Sequence, residues 1–310
     1  MSLSTTIVDV PLFNCIYNAS GVHCITKKEL HEIGKSSSAV IQTKSCTLKE
    51  RKGNELPRYY QAELCTINSS GLPNLGYKFY GDISAEYKQY KKPYIVSVSG
   101  LTHQANVTMI QYLSNIDTIT AIELNLSCPN IIGKPQTGYD FDGMEELIRK
   151  VNEIQLNKQK LGLKLPPYFD ISHFHKAAEI INSYSVDYIT CINSIGNGLV
   201  IDQETDTVAI KPKKGFGGIG GQVIKPVALA NVRKMYELTK CDIIGCGGIK
   251  TGRDVYEHIL CGAKAVQIGS QCKIEGLHVF DRLSEELIKI MNEKKYKTIE
   301  DFRGSLKIYS

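Results

Sequence analysis

The chain has 310 residues, 42% of them hydrophobic and 22% charged, so it can form a core of normal size and is not a disordered chain. Its formal net charge of +5 is spread without a long block of like charges, which excludes a basic arm for nucleic acid. The 10 cysteines include no Cys-x-x-Cys pair, which disfavours a zinc site or an iron–sulfur cluster, and we predict no bound metal.

The N-terminal segment is not expected to be a signal peptide. Met1–Thr6 lacks a basic stretch followed by an apolar one, and no later segment is apolar for the length that a membrane span needs. Cysteines inside apolar runs, such as Cys191, are typical of proteins in a reducing compartment. We therefore expect a cytoplasmic protein with neither a membrane nor a nucleic-acid partner.

The spacing of apolar residues predicts the elements in chain order. A small hairpin is expected first, from Thr6–Val10 and Phe13–Tyr17 with a turn near Pro11, placed to plug the bottom of a barrel. Eight short runs, apolar at nearly every position, then predict strands buried on both faces: Ala39–Thr43, Glu63–Ile67, Tyr94–Val98, Ala121–Leu126, Leu161–Leu165, Asp187–Ile192, Asp242–Cys246 and Ala263–Ile268. Amphipathic stretches between them predict helices, among them Gly143–Ile154, Phe174–Ser183, Pro226–Leu238 and Gly252–Leu260.

This alternation predicts an α/β fold, either a (β/α)8 TIM barrel or a doubly wound sheet. A polar residue or a glycine ends nearly every predicted strand. In a barrel all of these residues converge on one mouth, whereas the outer strands of an open sheet could not reach a common site. We therefore predict one barrel domain over residues 1–310, with the small N-terminal hairpin and a β-rich insertion at 196–223.

Glycines and lysines at the strand ends indicate a site for an anionic ligand. Gly245–Gly248 and Gly269 would let backbone N–H groups approach a phosphate closely, although glycines also serve ordinary turns. Lys44 and Lys164 follow or occupy buried strands, where a lysine is costly unless it meets an anion, a cofactor or an ion-pair partner. The pattern favours a phosphate-bearing cofactor at the barrel mouth.

Cys128 lies in the run Asn125–Asn130, just after a predicted strand and before Pro129. The proline disfavours helical backbone at the cysteine, and two asparagine amides flank it. A thiol in such a place can remove a proton from carbon if it is desolvated and well positioned. A structural cysteine is the alternative reading of the same residues.

Longer motifs resemble those of the dihydroorotate dehydrogenases, in particular the soluble class 1A that reduces fumarate. The resemblance covers essentially the whole chain, although Ser70 and Ser270 stand where the family usually has Met and Thr. It is carried by Asn18–His23, Thr43–Ser45, Gly53–Tyr59, Asn68–Gly76, Asn125–Asn130, Leu163–Asp170, Asn193–Leu199, Ile210–Gly221, Cys246–Gly248 and His258–Ala263.

The resemblance implies a homodimer with non-covalent FMN in the barrel, which oxidises (S)-dihydroorotate to orotate in pyrimidine (UMP) biosynthesis and reduces fumarate to succinate. Cys128 is implied as the base that removes the C5 proton while C6 gives up a hydride. The implied substrate-binding residues are Lys44, Asn68, Ser69, Gly71, Leu72, Asn125, Asn130, Asn193 and Ser194. The implied FMN-binding residues are Ser20, Lys44, Ser45, Asn125, Lys164, Ile192, Gly221, Gly247, Gly248, Gly269 and Ser270.

Three alternatives stay open on the sequence. One is a related flavin barrel that acts on another pyrimidine, for which no motif argues. A class 1B type of enzyme would also use a cysteine but would pass electrons to NAD through a partner subunit; the segments Gly71–Gly76 and Leu163–Asp170 favour class 1A instead. A non-catalytic barrel that binds a phosphate ligand would be expected to have lost its reactive groups, yet Lys44, Cys128 and Lys164 are all present.

Overall fold

The computed structural model describes residues 1–127 and 136–309. In this part of the chain the strands are β1 (Thr5–Ile7), β2 (Val10–Leu12), β3 (Ile16–Asn18), β4 (Ile41–Gln42), β5 (Tyr59–Gln61), β6 (Thr66–Asn68), β7 (Tyr94–Val98), β8 (Ala121–Asn125), β9 (Lys160–Leu165), β10 (Tyr188–Cys191), β11 (Ile195–Gly198), β12 (Ile201–Asp202), β13 (Thr207–Val208), β14 (Gly217–Gly220), β15 (Asp242–Cys246) and β16 (Ala265–Ile268).

The α-helices of the same residues are α1 (Lys27–Lys35), α2 (Tyr77–Asp82), α3 (His103–Leu113), α4 (Phe141–Asn152), α5 (Ile171–Asn182), α6 (Lys225–Leu238), α7 (Gly252–Leu260), α8 (Ser270–Glu275) and α9 (Val279–Glu293). Short 3-10 helices lie at Ile83–Tyr90, Thr137–Tyr139, Pro212–Gly215, Gln222–Ile224 and Ile299–Asp301. No helix of the described residues is both long and apolar enough to cross a membrane.

Eight strands form the central parallel sheet, in the order β3-β16-β15-β10-β9-β8-β7-β4. Its two end strands, β3 and β4, are joined through Asn18. The Asn18 amide donates to the Gln42 carbonyl at 2.8 Å and accepts from the Gln42 N–H at 3.1 Å. The Ala39 N–H also donates to the Ile16 carbonyl at 2.9 Å. The sheet is therefore a nearly closed barrel surrounded by helices, which confirms the predicted fold class.

Most predicted barrel strands are confirmed, and Tyr94–Val98 and Asp242–Cys246 have the predicted bounds. The prediction that Glu63–Ile67 forms a barrel strand was wrong. Only Thr66 and Ile67 of that run are in a strand, and β6 pairs antiparallel with β5 and β14 outside the barrel. Glu63 itself is exposed, so the run was less buried than its apolar content indicated.

The predicted N-terminal hairpin exists, but its second arm was wrong. It turns at Val8 and Asp9 and pairs β1 with β2, whereas residues Ile16 and Tyr17 belong to the first barrel strand. The Val8 N–H donates to Asp242 at 2.5 Å, and Asp9 forms an ion pair of 2.9 Å with Lys160. Asp242 and Lys160 begin their strands, so the hairpin covers the bottom of the barrel as predicted.

A second, antiparallel sheet in the order β11-β14-β6-β5 lies outside the barrel strands. Strand β14 and most of β11, together with the small β12–β13 hairpin, come from residues 196–223, which confirms the β-rich insertion. The glycine-rich strand β14 is in register with Thr66–Asn68. This pairing brings a segment far along the chain against the loop that follows β4.

Helix α7 shows how local sequence positions one side of the site. Thr251 caps its first turn and Asp254 accepts hydrogen bonds from the Lys250 and Thr251 N–H groups, as expected for a capping box. The helix buries Val255, His258 and Ile259 against the barrel. His258 is thereby fixed beside the loop that follows β15.

Candidate active site

A cavity of about 420 Å³ opens at the carboxyl ends of the barrel strands. Residues of β5, β6 and β14 also line it, so the antiparallel sheet forms one of its walls. Most of the predicted site residues meet here: Ser20, Lys44, Ser45, Asn68, Leu72, Asn125, Lys164, Ile192, Asn193, Ser194, Gly221, Gly247, Gly248, Gly269 and Ser270.

Two predicted site residues of the described part of the chain, Ser69 and Gly71, are not among those that line the cavity. Ser69 is fully buried, and its carbonyl accepts a hydrogen bond of 2.9 Å from the Asn54 amide. Gly71 directs its carbonyl toward Arg51 Nε at 3.2 Å. Cys128 and Asn130 lie outside the described residues, so their roles stay predictions.

A hydroxyl-rich corner surrounds Lys44, which is only 8% exposed. Lys44 Nζ donates to the Ser20 carbonyl at 3.4 Å. The Ser45 hydroxyl lies 2.9 Å from that of Ser97 and 3.4 Å from that of Ser20. A lysine that borders the cavity in this way can meet an anionic group of a bound ligand.

Asn125 and Asn193 form an amide cluster with fixed orientations. Asn125 Oδ1 accepts from both the N–H and the hydroxyl of Ser127 at 3.0 Å, so its amide nitrogen faces Ser45 at 3.4 Å. Asn193 donates to the Ser127 carbonyl at 3.1 Å and to Asn125 Oδ1 at 3.3 Å. Because hydrogen bonds within the protein orient both amides, they can select polar edges of a planar molecule.

Lys164 is the second buried lysine, 4% exposed, and it comes from the middle of the barrel wall. Its Nζ donates to Gln267 Oε1 at 2.7 Å and lies 3.8 Å from Cys246 Sγ. Burial raises the pKa of the Cys246 thiol, although nearby Lys164 opposes that shift. The thiol is therefore a neutral neighbour of the lysine near neutral pH.

Glycines after β15 and β16 form the part of the wall predicted to hold a phosphate. Gly248 has a φ of +76°, and a Cβ there would lie 2.4 Å from the Cα of Lys225. At Gly269 the nearest atom to an added Cβ is Ala19 Cβ at 3.8 Å. Ser270 follows, with its hydroxyl 2.9 Å from that of Thr66. Backbone N–H groups without shielding side chains are suited to binding an anion.

Several residues that line the cavity were not predicted from the sequence. Gln267 and Cys246 lie at its floor beside Lys164, and Lys250 and Lys273 add positive charge to its wall. The sequence did contain a sign that Gln267 is a site residue. It is a polar residue inside the apolar run Ala263–Ile268, just as Lys164 is inside Leu161–Leu165. The described residues contain no cluster of three His, Cys, Asp or Glu side chains suited to a metal ion.

Comparisons with known proteins agree with this geometry. The family model described as dihydroorotate dehydrogenase matches residues 2–291. The chain is 48% identical over 310 residues to dihydroorotate dehydrogenase A (fumarate) of Lactococcus lactis subsp. cremoris strain MG1363, with 98% of this chain and 99% of the relative covered. It is 47% identical over 310 residues to dihydroorotate dehydrogenase (fumarate) of Lachancea kluyveri, with 98% of each covered.

Solved structures give the same picture for the fold. The crystal structure of DHODH from Eimeria tenella in complex with ferulenol superimposes with a TM-score of 0.80, covering 98% of this chain and 88% of that one. The identity is 19%, so this match concerns the fold alone. The family model and the full-length relatives decide the assignment: the chain belongs to the dihydroorotate dehydrogenase family.

Proposed function

We propose that this protein is a flavin enzyme that oxidises (S)-dihydroorotate to orotate and reduces fumarate to succinate, in pyrimidine (UMP) biosynthesis. The observation that carries the proposal is an identity of nearly one half, along the full length, with relatives named for fumarate. The cavity supports it, because two buried lysines, oriented amides and unshielded glycine backbone share one space. We take residues 1–310 as one FMN-binding barrel domain.

The proposed flavin is FMN, and the glycine-rich wall fits its phosphate. Gly248 and Gly269 leave backbone without side chains at the cavity, and Ser270 offers a hydroxyl. Ser20, Ser45, Asn125, Ile192, Gly221 and Gly247 would complete the site. When bound, FMN would supply the hydride acceptor for dihydroorotate and the hydride donor for fumarate. Lys164 would hold a positive charge beside it.

Lys44 and the amide cluster would bind the substrate. The Lys44 ammonium would pair with the substrate carboxylate, and Asn125 and Asn193 would bind the polar edges of the ring. Asn68, Leu72 and Ser194 also line the cavity. Orotate and fumarate are both flat anions, so one pocket could bind them in turn.

Cys128 would remove the C5 proton of dihydroorotate. This role comes from the resemblance, and the cysteine lies outside the described residues. Ser127, the residue before it, is anchored by a hydrogen bond of 3.2 Å from its hydroxyl to the Lys164 carbonyl. A positioned base of this kind typically accelerates a reaction about 10²- to 10⁴-fold.

An experiment on the purified chain alone tests the proposal. The protein should be yellow, and acid extraction should release FMN that chromatography identifies. Dihydroorotate oxidation should then proceed with fumarate as acceptor, and it should be compared with separate assays containing NAD and a quinone. Turnover with NAD but not with fumarate would contradict the proposed acceptor. A colourless protein that FMN does not reconstitute would favour a non-catalytic phosphate-binding barrel.

We also propose that the protein is a cytoplasmic homodimer, as its resemblance to the soluble class 1A implies. The insertion carries exposed apolar side chains, with Ile201 59% and Leu199 46% exposed, and Phe216 and Val208 are exposed as well. Apolar side chains concentrated on one short insertion are typical of a protein–protein contact. In our proposal a second copy of the chain covers this apolar face, which consists of Leu199, Ile201, Val208 and Phe216.

A further inference from the structure

A carboxylate lies inside the barrel, below the cavity. Glu123 on β8 is completely buried, two residues before Asn125 on the same strand. Side-chain donors surround it: Gln42 Nε2 contacts Oε1, while Thr190 Oγ1 and Gln267 Nε2 each contact Oε2 at 2.8 Å. Three donors satisfy a carboxylate that must stay in a dry interior.

Gln267 connects this carboxylate to Lys164, and the chemistry of its two partners determines how its amide is oriented. A lysine ammonium can only donate, so Lys164 Nζ must face Gln267 Oε1, at 2.7 Å. The Gln267 nitrogen then faces Glu123 Oε2 at 2.8 Å, and a carboxylate accepts that hydrogen bond. The two hydrogen bonds are therefore donated in the same direction: Lys164 donates to Gln267, and Gln267 donates to Glu123.

Both Gln267 and Glu123 are needed to hold the Lys164 ammonium in position. A buried ammonium is costly without a counter-charge, and Glu123 is a carboxylate one amide away from it. Without that acceptor, Gln267 Nε2 keeps only longer contacts, such as those to Gln42 Oε1 at 3.3 Å and to the Tyr17 hydroxyl at 3.4 Å. The Gln267 amide would then be held less firmly, and so would the Lys164 ammonium that it contacts at the floor of the cavity.

We propose that Glu123 is a positioning residue for the flavin: through Gln267 it holds the Lys164 ammonium at the cavity floor and so raises the reduction potential of the bound cofactor. The proposal rests on the function proposed above, since it requires that a flavin binds beside Lys164. A positive charge near a flavin favours its reduced, more negative form. Glu123 would thus act on the cofactor only by way of the lysine.

The sign of the change in potential separates this role from a direct effect of charge. If Glu123 acted only through its own field, Glu123→Gln would remove a negative charge and raise the potential, and Glu123→Asp would leave it unchanged. Positioning predicts a lower potential in both variants. Glu123→Gln removes the counter-charge of Lys164, although its amide oxygen can still accept from Gln267, and Glu123→Asp withdraws the carboxylate from Gln267. Each should lower the equilibrium constant for two-electron reduction about tenfold, which corresponds to about 30 mV.

The measurement is the midpoint potential of the purified, flavin-loaded protein, obtained by equilibration with a reference dye. Thr190→Val is the comparison variant, because it removes another donor from the same carboxylate but leaves the 2.8 Å bond between Gln267 and Glu123 in place. The Thr190 hydroxyl lies 3.5 Å from Gln267 Nε2, the longest contact of that amide nitrogen, so the potential should fall much less than in the Glu123 variants. In a Lys164→Gln background, Glu123→Gln should no longer lower the potential.

The outcomes are distinct. A raised potential in Glu123→Gln, or an unchanged one in Glu123→Asp, would overturn the positioning role. If Glu123→Gln does not fold, Glu123→Asp alone still decides, because it keeps the charge and withdraws the carboxylate from Gln267. A wild-type protein that binds no flavin would instead refute the proposed function, and that result is visible before any variant is made.

Discussion

The His258 ring donates a hydrogen bond of 3.0 Å from Nε2 to the carbonyl of Gly247, the first glycine after β15. A carbonyl only accepts, so Nε2 carries the proton of the neutral ring. Nδ1 is buried and has no hydrogen-bond partner in the described structure. His258 therefore holds a wall of the cavity while its own ring stays uncharged.

This arrangement predicts a loss of stability in mild acid. Burial lowers the pKa of His258 from 6.5 to about 4. Below pH 6.5 His258 becomes protonated in the unfolded chain, whereas in the folded chain it stays neutral until about pH 4. The free energy of unfolding therefore decreases across that window as the pH falls. We expect about 2 kcal/mol of lost unfolding free energy between pH ~7 and pH ~5 from this group.

Urea unfolding of the wild type and of His258→Gln across this window measures the effect. The wild type should lose stability with acid more steeply than the variant, which has no titrating ring. Parallel curves for the two proteins would show that His258 is not the group responsible.

Replacing Cys128 separates cofactor binding from proton removal. In Cys128→Ser, FMN binding should persist while reduction of the flavin by dihydroorotate slows about 10²- to 10⁴-fold, most of all near neutral pH, because a hydroxyl ionises far less readily than a thiol. Stopped-flow bleaching of the flavin absorbance measures this step. Reduction at the wild-type rate would remove Cys128 from the mechanism.

Lys44→Gln should weaken binding of both anions that share the pocket. Losing a hydrogen bond to a charged group costs about 1.5–3 kcal/mol, so the KM for dihydroorotate and for fumarate should each rise about 10- to 150-fold. Steady-state kinetics with each substrate varied provide the test. Lys35→Gln, at an exposed position on α1, is the control and should leave both KM values unchanged. If KM rose for only one of the two substrates, Lys44 would not be the shared binding group for dihydroorotate and fumarate.

Gly248→Ala should disturb the phosphate wall. The backbone has a φ of +76°, which costs about 1–2 kcal/mol for a residue with a Cβ, and that Cβ would lie 2.4 Å from the Cα of Lys225. The loop must shift, and FMN affinity should fall, as titration of the apoprotein would measure. Gly276→Ala is matched in φ at +81° but meets no atom closer than 3.8 Å. Equal FMN affinity in the two variants would contradict this account of the wall.

A charge on the apolar face of the insertion should separate the proposed dimer. Ile201→Lys places an ammonium where a partner subunit would exclude water, and an unpaired buried charge opposes association. Light scattering coupled to gel filtration measures the mass. The control is Ile308→Lys, at a residue 82% exposed outside the insertion. A dimer that survives Ile201→Lys would place the interface elsewhere.

Local pattern was sufficient for much of this molecule. Tyr94–Val98 and Asp242–Cys246 were found with their bounds because a strand buried on both faces is apolar at nearly every position. Helix α7 was found with its bounds because its cap and its apolar face are encoded within about three turns. Lys44 and Lys164 were identified as site residues because a lysine in a buried strand needs a partner.

Such local patterns could not predict which distant segments pair with each other. An apolar run does not reveal its partner strand. Thr66 and Ile67 of β6 were therefore assigned to the barrel although β6 pairs with β14. Likewise, Ile16 and Tyr17 were assigned to the hairpin although β3 pairs with β16. The hydrogen bonds from Lys164 through Gln267 to Glu123 join distant strands, since Gln267 and Glu123 are 144 residues apart in the sequence. The sequence by itself determined which residues must be buried and which of them carry polar groups. Only the closed barrel decided which of those groups meet, because their contacts depend on strand order and register around the whole sheet.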